Sequence, residues 1–229
     1  MERRFEKELE SLKTTLIRMG SVVEENTKLS IRSFTDRDVA LAKRVIDSDE
    51  RINSLEIEID NAVVDILALQ QPVAGDLRLI LATQKISNDL ERIGDHAVNI
   101  SESALSVAKM TFKESLMELP QMSQIAEAML RDALDSFVHV SPELAQAVLK
   151  RDDLIDDLNR SMTIEVIELL QNKRKFIEGG LELIRVSRNL ERIADLATNI
   201  AEEVIYLAEA KVVKHHAEDK KAPVDDRVR

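Results

Sequence analysis

Apolar residues recur at three- and four-residue intervals along most of this chain and almost nowhere alternate with polar ones, the period of amphipathic helices. Leu9, Leu12, Leu16, Met19, Val23 and Leu29 mark a first helix over residues 3–34. Thr35-Asp36-Arg37-Asp38 supplies capping side chains for a second helix, which runs to about residue 69. It ends at Gln70-Gln71-Pro72-Val73-Ala74-Gly75, where Pro72 removes an amide and Gly75 permits a positive φ. Asp76, whose charge suits a helix N-terminus, opens a third helix over about 76–110. A weak junction leads to a fourth over about 120–138. Ser141-Pro142-Glu143 reads as an N-cap with Pro at the first helical position, and starts a fifth helix that continues to about residue 170. A basic, glycine-ended turn over 173–180 then precedes a sixth helix over about 181–210.

The chain repeats itself. Ser87 to Glu102 reads SNDLERIGDHAVNISE and Ser187 to Glu202 reads SRNLERIADLATNIAE, ten of sixteen positions being identical. At a spacing of 103, Asp49, Ile52, Asn53, Leu55, Glu56 and Ile59 fall over Asp152, Ile155, Asp156, Leu158, Asn159 and Met162. The second and third helices thus correspond to the fifth and sixth. This predicts an all-α fold of two tandem three-helix bundles, residues 1–111 and 115–212, followed by a disordered tail over 213–229.

Composition supports that reading and narrows function. Five Gly and four Pro in 229 residues are too few turn residues for a sandwich or barrel. A net charge of −11 and only six aromatics disfavour nucleic acid as a partner. The absence of Cys excludes thiolate metal sites and thiol nucleophiles. The charged start, MERRFEKELE, is unlike a secretory signal, and no run approaches about 18 apolar residues. A cytoplasmic protein without a membrane span is expected.

Turning each residue by about 100° around the helix axis maps the repeated segments. Leu90, Ile93, Gly94, Ala97 and Ile100 form an apolar arc edged by Glu91, Asp95 and Asn99; Leu190, Ile193, Ala194, Ala197 and Ile200 form another, edged by Glu191, Asp195 and Asn199. The preceding helices carry flanking stripes of their own, Asp49, Asn53, Glu56 and Asp60 in one copy and Asp152, Asp156, Asn159 and Thr163 in the other. Like charges four apart on a helix repel, so a motif that keeps them twice invites a ligand. All-oxygen sets suit Mg²⁺, Mn²⁺, Ca²⁺ or iron. The plainer alternative is a solvated edge, with Arg92 and Arg192 neutralising Asp95 and Asp195. A ferritin-like di-iron site needs Glu-x-x-His, but Gly94 and Ala194 stand where the His would be. His96 reads as a surface histidine, and His215-His216 belong to the tail. Phosphate-binding glycine loops, HExxH and the serine elbow are missing from the sequence.

The paired LERI[GA]D segments, Leu90 to Asp95 and Leu190 to Asp195, together with Gln71-Pro72 and Asp76-Leu77-Arg78, resemble the PhoU family of bacterial phosphate-signalling proteins. The resemblance implies two similar three-helix bundles in a cytoplasmic, homodimeric negative regulator of phosphate uptake and of the starvation response. It implies as partners the ATPase subunit of the phosphate ABC transporter and a sensor histidine kinase. It also implies multinuclear iron or zinc held by ExxxD and DxxxD motifs, which here are Glu91 with Asp95, Glu191 with Asp195, and Asp152 with Asp156. Asp49 is followed by Asn53 instead, which weakens the first site or leaves it to Glu56 and Asp60. The rival reading from another class is a metal-dependent phosphatase or polyphosphate-processing enzyme.

Overall fold

In the computed structural model, which describes residues 2–111 and 118–211, every regular element is helical. The helix α1 spans Glu2–Asp36, α2 Val39–Gln70, α3 Ala74–Val107, α4 Glu118–His139, α5 Pro142–Leu149, α6 Asp152–Asn172 and α7 Ile177–Glu209. Asp38 caps α2 as its sequence suggests, its side chain accepting from the Ala40 and Leu41 amides. Ser141 caps α5 the same way through the Leu144 amide. At 32 residues, α2 is about 48 Å long at about 1.5 Å per residue. The expected disorder of 213–229 concerns positions outside the described residues.

Three expectations need correction. The predicted fifth helix is two: the backbone tightens at Lys150 and Arg151 into three-residue bonds, Arg151 N to Val148 O and Leu154 N to Arg151 O, and α6 starts afresh at Asp152. No Gly or Pro marks this break. What does mark it is charge order, Lys150-Arg151 at one helix end and Asp152-Asp153 at the next helix start, each matched to the local dipole. Secondly, the turn expected over 173–180 is shorter, a single 3₁₀ turn over Arg174–Phe176, and both glycines lie inside α7. Gly180 is there for proximity: a Cβ on it would stand 2.8 Å from Leu170 Cδ2 of α6. Finally, Gly75 does not supply the left-handed residue between α2 and α3; Gln71 (φ 49°) and Ala74 (φ 45°) do.

α1, α2 and α3 pack on one another, and α7 gathers α4, α5 and α6 around itself. The two bundles then meet along α3 and α7, with α1 against α4. Leu90, Ile93 and Ile100 of α3 and Leu190, Ile193 and Ile200 of α7 are fully buried, and one continuous apolar core runs through both bundles. The polar edges of the repeated segments therefore sit on helices held from several sides.

Candidate functional site

Asp49 lies in the middle of α2, one turn before Asn53, whose Nδ2 donates to Asp49 Oδ2 at 3.2 Å. The other oxygen, Oδ1, is buried without a hydrogen-bond partner and looks onto α3, where a Cβ on Gly94 would stand 3.4 Å from it and 2.9 Å from Ile52 Cδ1. The glycine of LERIGD thus makes room for Ile52 of α2, while Asp49 Oδ1 lies at ordinary contact distance from the helix that carries Glu91 and Asp95. Burial raises the Glu91 carboxyl above its ordinary range, and Asp95, Glu56 and Asp49 push it further against the opposing Arg92. Asp49 is raised by burial and then by the field of Asp95, against the hydrogen bond from Asn53, and Glu56 is raised by burial, then by Asp60 and Asp95. Asp49, Glu56, Glu91 and Asp95 form one electrostatic neighbourhood, in which Asn53 is the amide donor.

The second copy brings Asp152 and Asp156 of α6 to Glu191 and Asp195 of α7. Asp195 is raised to about 6, by burial most of all, then by Asp152, Glu191 and Asp156, with Arg192 opposing. Arg192 Nη1 lies 3.6 Å from Asp195 Oδ2, the pairing the sequence suggests. The matching arginine behaves differently: Arg92 turns back to Asp89, at 3.6 Å, and leaves Asp95. In the second copy Asn189 stands at that backward position.

A protein-family model described as the PhoU domain matches residues 16–104 and 119–204, that is, each copy of the repeat. The chain belongs to the PhoU family. It is 37% identical over 215 residues to a phosphate-specific transport system accessory protein PhoU homolog of Aquifex aeolicus, covering 93% of this chain and 97% of that one. To the Escherichia coli accessory protein PhoU it is 32% identical over 211 residues, 92% of this chain and 88% of that one. The crystal structure of PhoU from Pseudomonas aeruginosa superposes with a TM-score of 0.88 at 35% identity, covering 90% of this chain and all of that one. The phosphate transport system regulatory protein PhoU from Streptococcus pneumoniae gives 0.85 at 28% identity.

In this PhoU fold the donor set of both neighbourhoods is oxygen only, and the orphaned Asp49 Oδ1 and the raised carboxyls are what a bound cation would relieve. Among the described residues, however, no three His, Asp or Glu side chains are drawn together as a ready-made chelate. The carboxylates act on one another through their fields and not as a closed ligand set. Glu56 joins the first neighbourhood, which its place on the α2 flank had signalled. His96 is a correction. It is half-buried between the bundles, with Nδ1 2.8 Å from Asn189 Oδ1. Since Asn189 Nδ2 donates to Arg185 O, that oxygen accepts and the proton sits on Nδ1. The side of α3 turned away from its own bundle is the side that meets α7. Lys85 Nζ with Glu203 (3.0 Å to both oxygens) and Arg185 Nη2 with Asn99 and Glu102 (3.1 and 2.6 Å) complete that polar seam.

Proposed function

We propose that this chain holds phosphate uptake and the phosphate-starvation response down when phosphate is plentiful, as a cytoplasmic homodimeric adaptor between the ATPase subunit of the phosphate ABC transporter and its sensor histidine kinase. As a PhoU-family member it is an accessory protein of phosphate transport. The observation that carries the finer reading is that the PhoU pattern occurs in both halves of the chain, each match containing a repeated helix pair with its polar face. A protein built of such faces acts by contact, and no nucleophile with a separate base is arranged in either neighbourhood. No helix among the described residues is long and apolar enough to cross a membrane. With a net charge of −11 the chain is repelled by anionic lipid, so recruitment to the transporter runs through protein partners.

Asp49, Asn53, Glu91 and Asp95, and in the second copy Asp152, Asp156, Glu191 and Asp195, would hold the iron or zinc of the family, with Mg²⁺ and Mn²⁺ as further occupants of an all-oxygen set. Bound there, a cation would supply charge neutralisation and tie neighbouring helices together. The regulatory reading is tested by deleting the gene in its native host and measuring starvation-gene expression in phosphate-rich medium. Expression should rise well above the parent strain; expression as low as the parent's refutes negative regulation.

A further inference from the structure

The hairpin of α2 and α3 leaves apolar side chains uncovered toward its connecting turn. Gln84 Nε2 of α3 reaches Asp60 Oδ1 of α2 at 3.5 Å, which fixes the register of the antiparallel pair. One and two turns nearer the connection, Val64 and Leu67 therefore stand across from Leu81 and Leu77. Ile57 and Val64, two turns apart on one side of α2, are each 61% exposed. Leu81 is exposed, and Leu67 and Leu77 are half-buried. A single exposed apolar residue is ordinary on any surface. Five at helical spacing, matched across two helices, make a patch.

The repeat sets this patch apart from chance. Val64 and Leu67 fall over Ile167 and Leu170 at the spacing of 103, and Leu77 and Leu81 over Ile177 and Leu181 at that of 100. All four places are apolar twice, although none is buried in either copy and uncovered helix positions are ordinarily polar. The two copies differ in charge. From Ile52 to Gln70, α2 has no Lys or Arg, Glu56 and Asp60 interleave with Ile57 and Val64, and Glu91 and Asp95 continue the acidic stripe on α3. Of the α3 cations, Lys85 turns to Glu203 of α7, Arg92 turns to Asp89, and Arg78 is half-buried. In the second copy Arg160 stands where α2 has Ile57, and Arg188 where α3 has Asn88.

An apolar ridge edged by carboxylates fits a helix of the reverse pattern, apolar along one stripe and rich in Lys or Arg beside it. A second copy of this chain would instead bring like carboxylates together. We propose that the exposed face of the α2–α3 hairpin, Ile57, Val64 and Leu81 with Glu56 and Asp60, is the docking site for a basic amphipathic helix of a protein partner. This rests on the reading of the chain as one that acts by contact, and gives that contact its place and chemistry. The second hairpin, with Arg160 in its patch, takes such a helix more weakly.

The probe is a synthetic helix of about 18 residues, with Leu at every third and fourth position and Lys beside them, titrated with the full-length chain in EDTA and followed by fluorescence anisotropy. Micromolar binding is expected, at least about tenfold tighter than that of a scrambled peptide of the same composition. Val64→Ser with Leu81→Ser, and separately Glu56→Gln with Asp60→Asn, should each weaken it at least about tenfold. Ile167→Ser with Leu181→Ser should leave it within about twofold. The proposal is overturned if the scrambled peptide binds as well, if either first-hairpin variant binds unchanged, or if the second-hairpin variant loses as much. It is overturned too if light scattering shows the Val64 and Leu81 variant turning a dimer into a monomer, since the face would then belong to a second copy. Complementation of the gene deletion separates this proposal from the regulatory reading. The unaltered chain should restore low starvation-gene expression, and the Val64 and Leu81 variant should not. Restoration by that variant overturns the docking face and leaves negative regulation standing. A deletion without effect removes negative regulation, and the titration then decides the docking face alone.

Discussion

The two carboxylate neighbourhoods come from one repeated pattern and yet are wired differently. On α2 the order is Asp49, Asn53, Glu56; on α6 it is Asp152, Asp156, Asn159, so the amide and the second carboxylate have exchanged places. In the first copy the amide sits one turn from Asp49 and donates to it. In the second copy that position is Asp156, another negative charge, and Asp195 is pushed up to about 6. The surroundings differ too. Asp49 is interior to an unbroken α2, while Asp152 stands in the first turn of α6, where the helix dipole favours an anion. The lesson is that a motif repeated in sequence fixes which residues meet, whereas one exchanged side chain decides how strained their meeting is.

The largest test asks whether the two halves are separate at all. Ile93 and Ile193 occupy equivalent, fully buried places, and the apolar core between them is continuous. Ile93→Ala and Ile193→Ala should each cost about 2–5 kcal/mol, and each should lower a single unfolding transition. Two resolved transitions in a calorimetric scan, only one of them moved by a given substitution, would show that the bundles unfold independently.

A smaller effect probes the glycine that distinguishes LERIGD from LERIAD. Ala194 is fully buried, so Ala194→Gly gives up helix propensity and a packed methyl and should cost about 1–2 kcal/mol in chemical denaturation. Gly94→Ala adds a Cβ 2.9 Å from Ile52 Cδ1, so its propensity gain of about 1 kcal/mol is offset by displacement of that buried isoleucine. The expected net change is within about 1 kcal/mol of zero. A clear gain from Gly94→Ala would mean that the Ile52 side chain gives way easily and that its contact with α3 does not depend on glycine.

Much of this was legible from residue order. Scarce Gly and Pro left long uninterrupted periods, so six helical stretches and their duplication could be read, and the repeat itself brought out Glu91, Asp95, Glu191 and Asp195. What escaped was tertiary. The break at Lys150 and Arg151 has no breaker residue and shows only in the order of charges. His96 looked like a surface residue because a helical map locates a bundle's own core but not the second bundle that covers its back, where Asn189 of α7 meets it.

The smallest effect separates electrostatic strain from its relief. In metal-free protein, Asp195 titrates near 6 when folded and near 3.9 when unfolded, so the folded state binds the extra proton. Stability from this group is therefore greatest at low pH and falls as pH rises through about 4 to 6. Its side chain is 39% exposed, and solvent screening cuts the penalty to the order of 1 kcal/mol. Asp195→Asn removes that penalty. In EDTA at about pH 7.5 it should raise the melting temperature by about 2–4 °C, a gain that fades toward pH 4. Added Mn²⁺ or Zn²⁺ should reverse the order, because a cation held by Asp152, Asp156, Glu191 and Asp195 stabilises the unaltered chain and finds one charge fewer in the variant. If the variant stays ahead with metal present, Asp195 is an ordinary strained carboxylate and not a ligand. If the variant shows no gain without metal, neither burial nor the field of Asp152, Glu191 and Asp156 costs the folded state a measurable amount at Asp195.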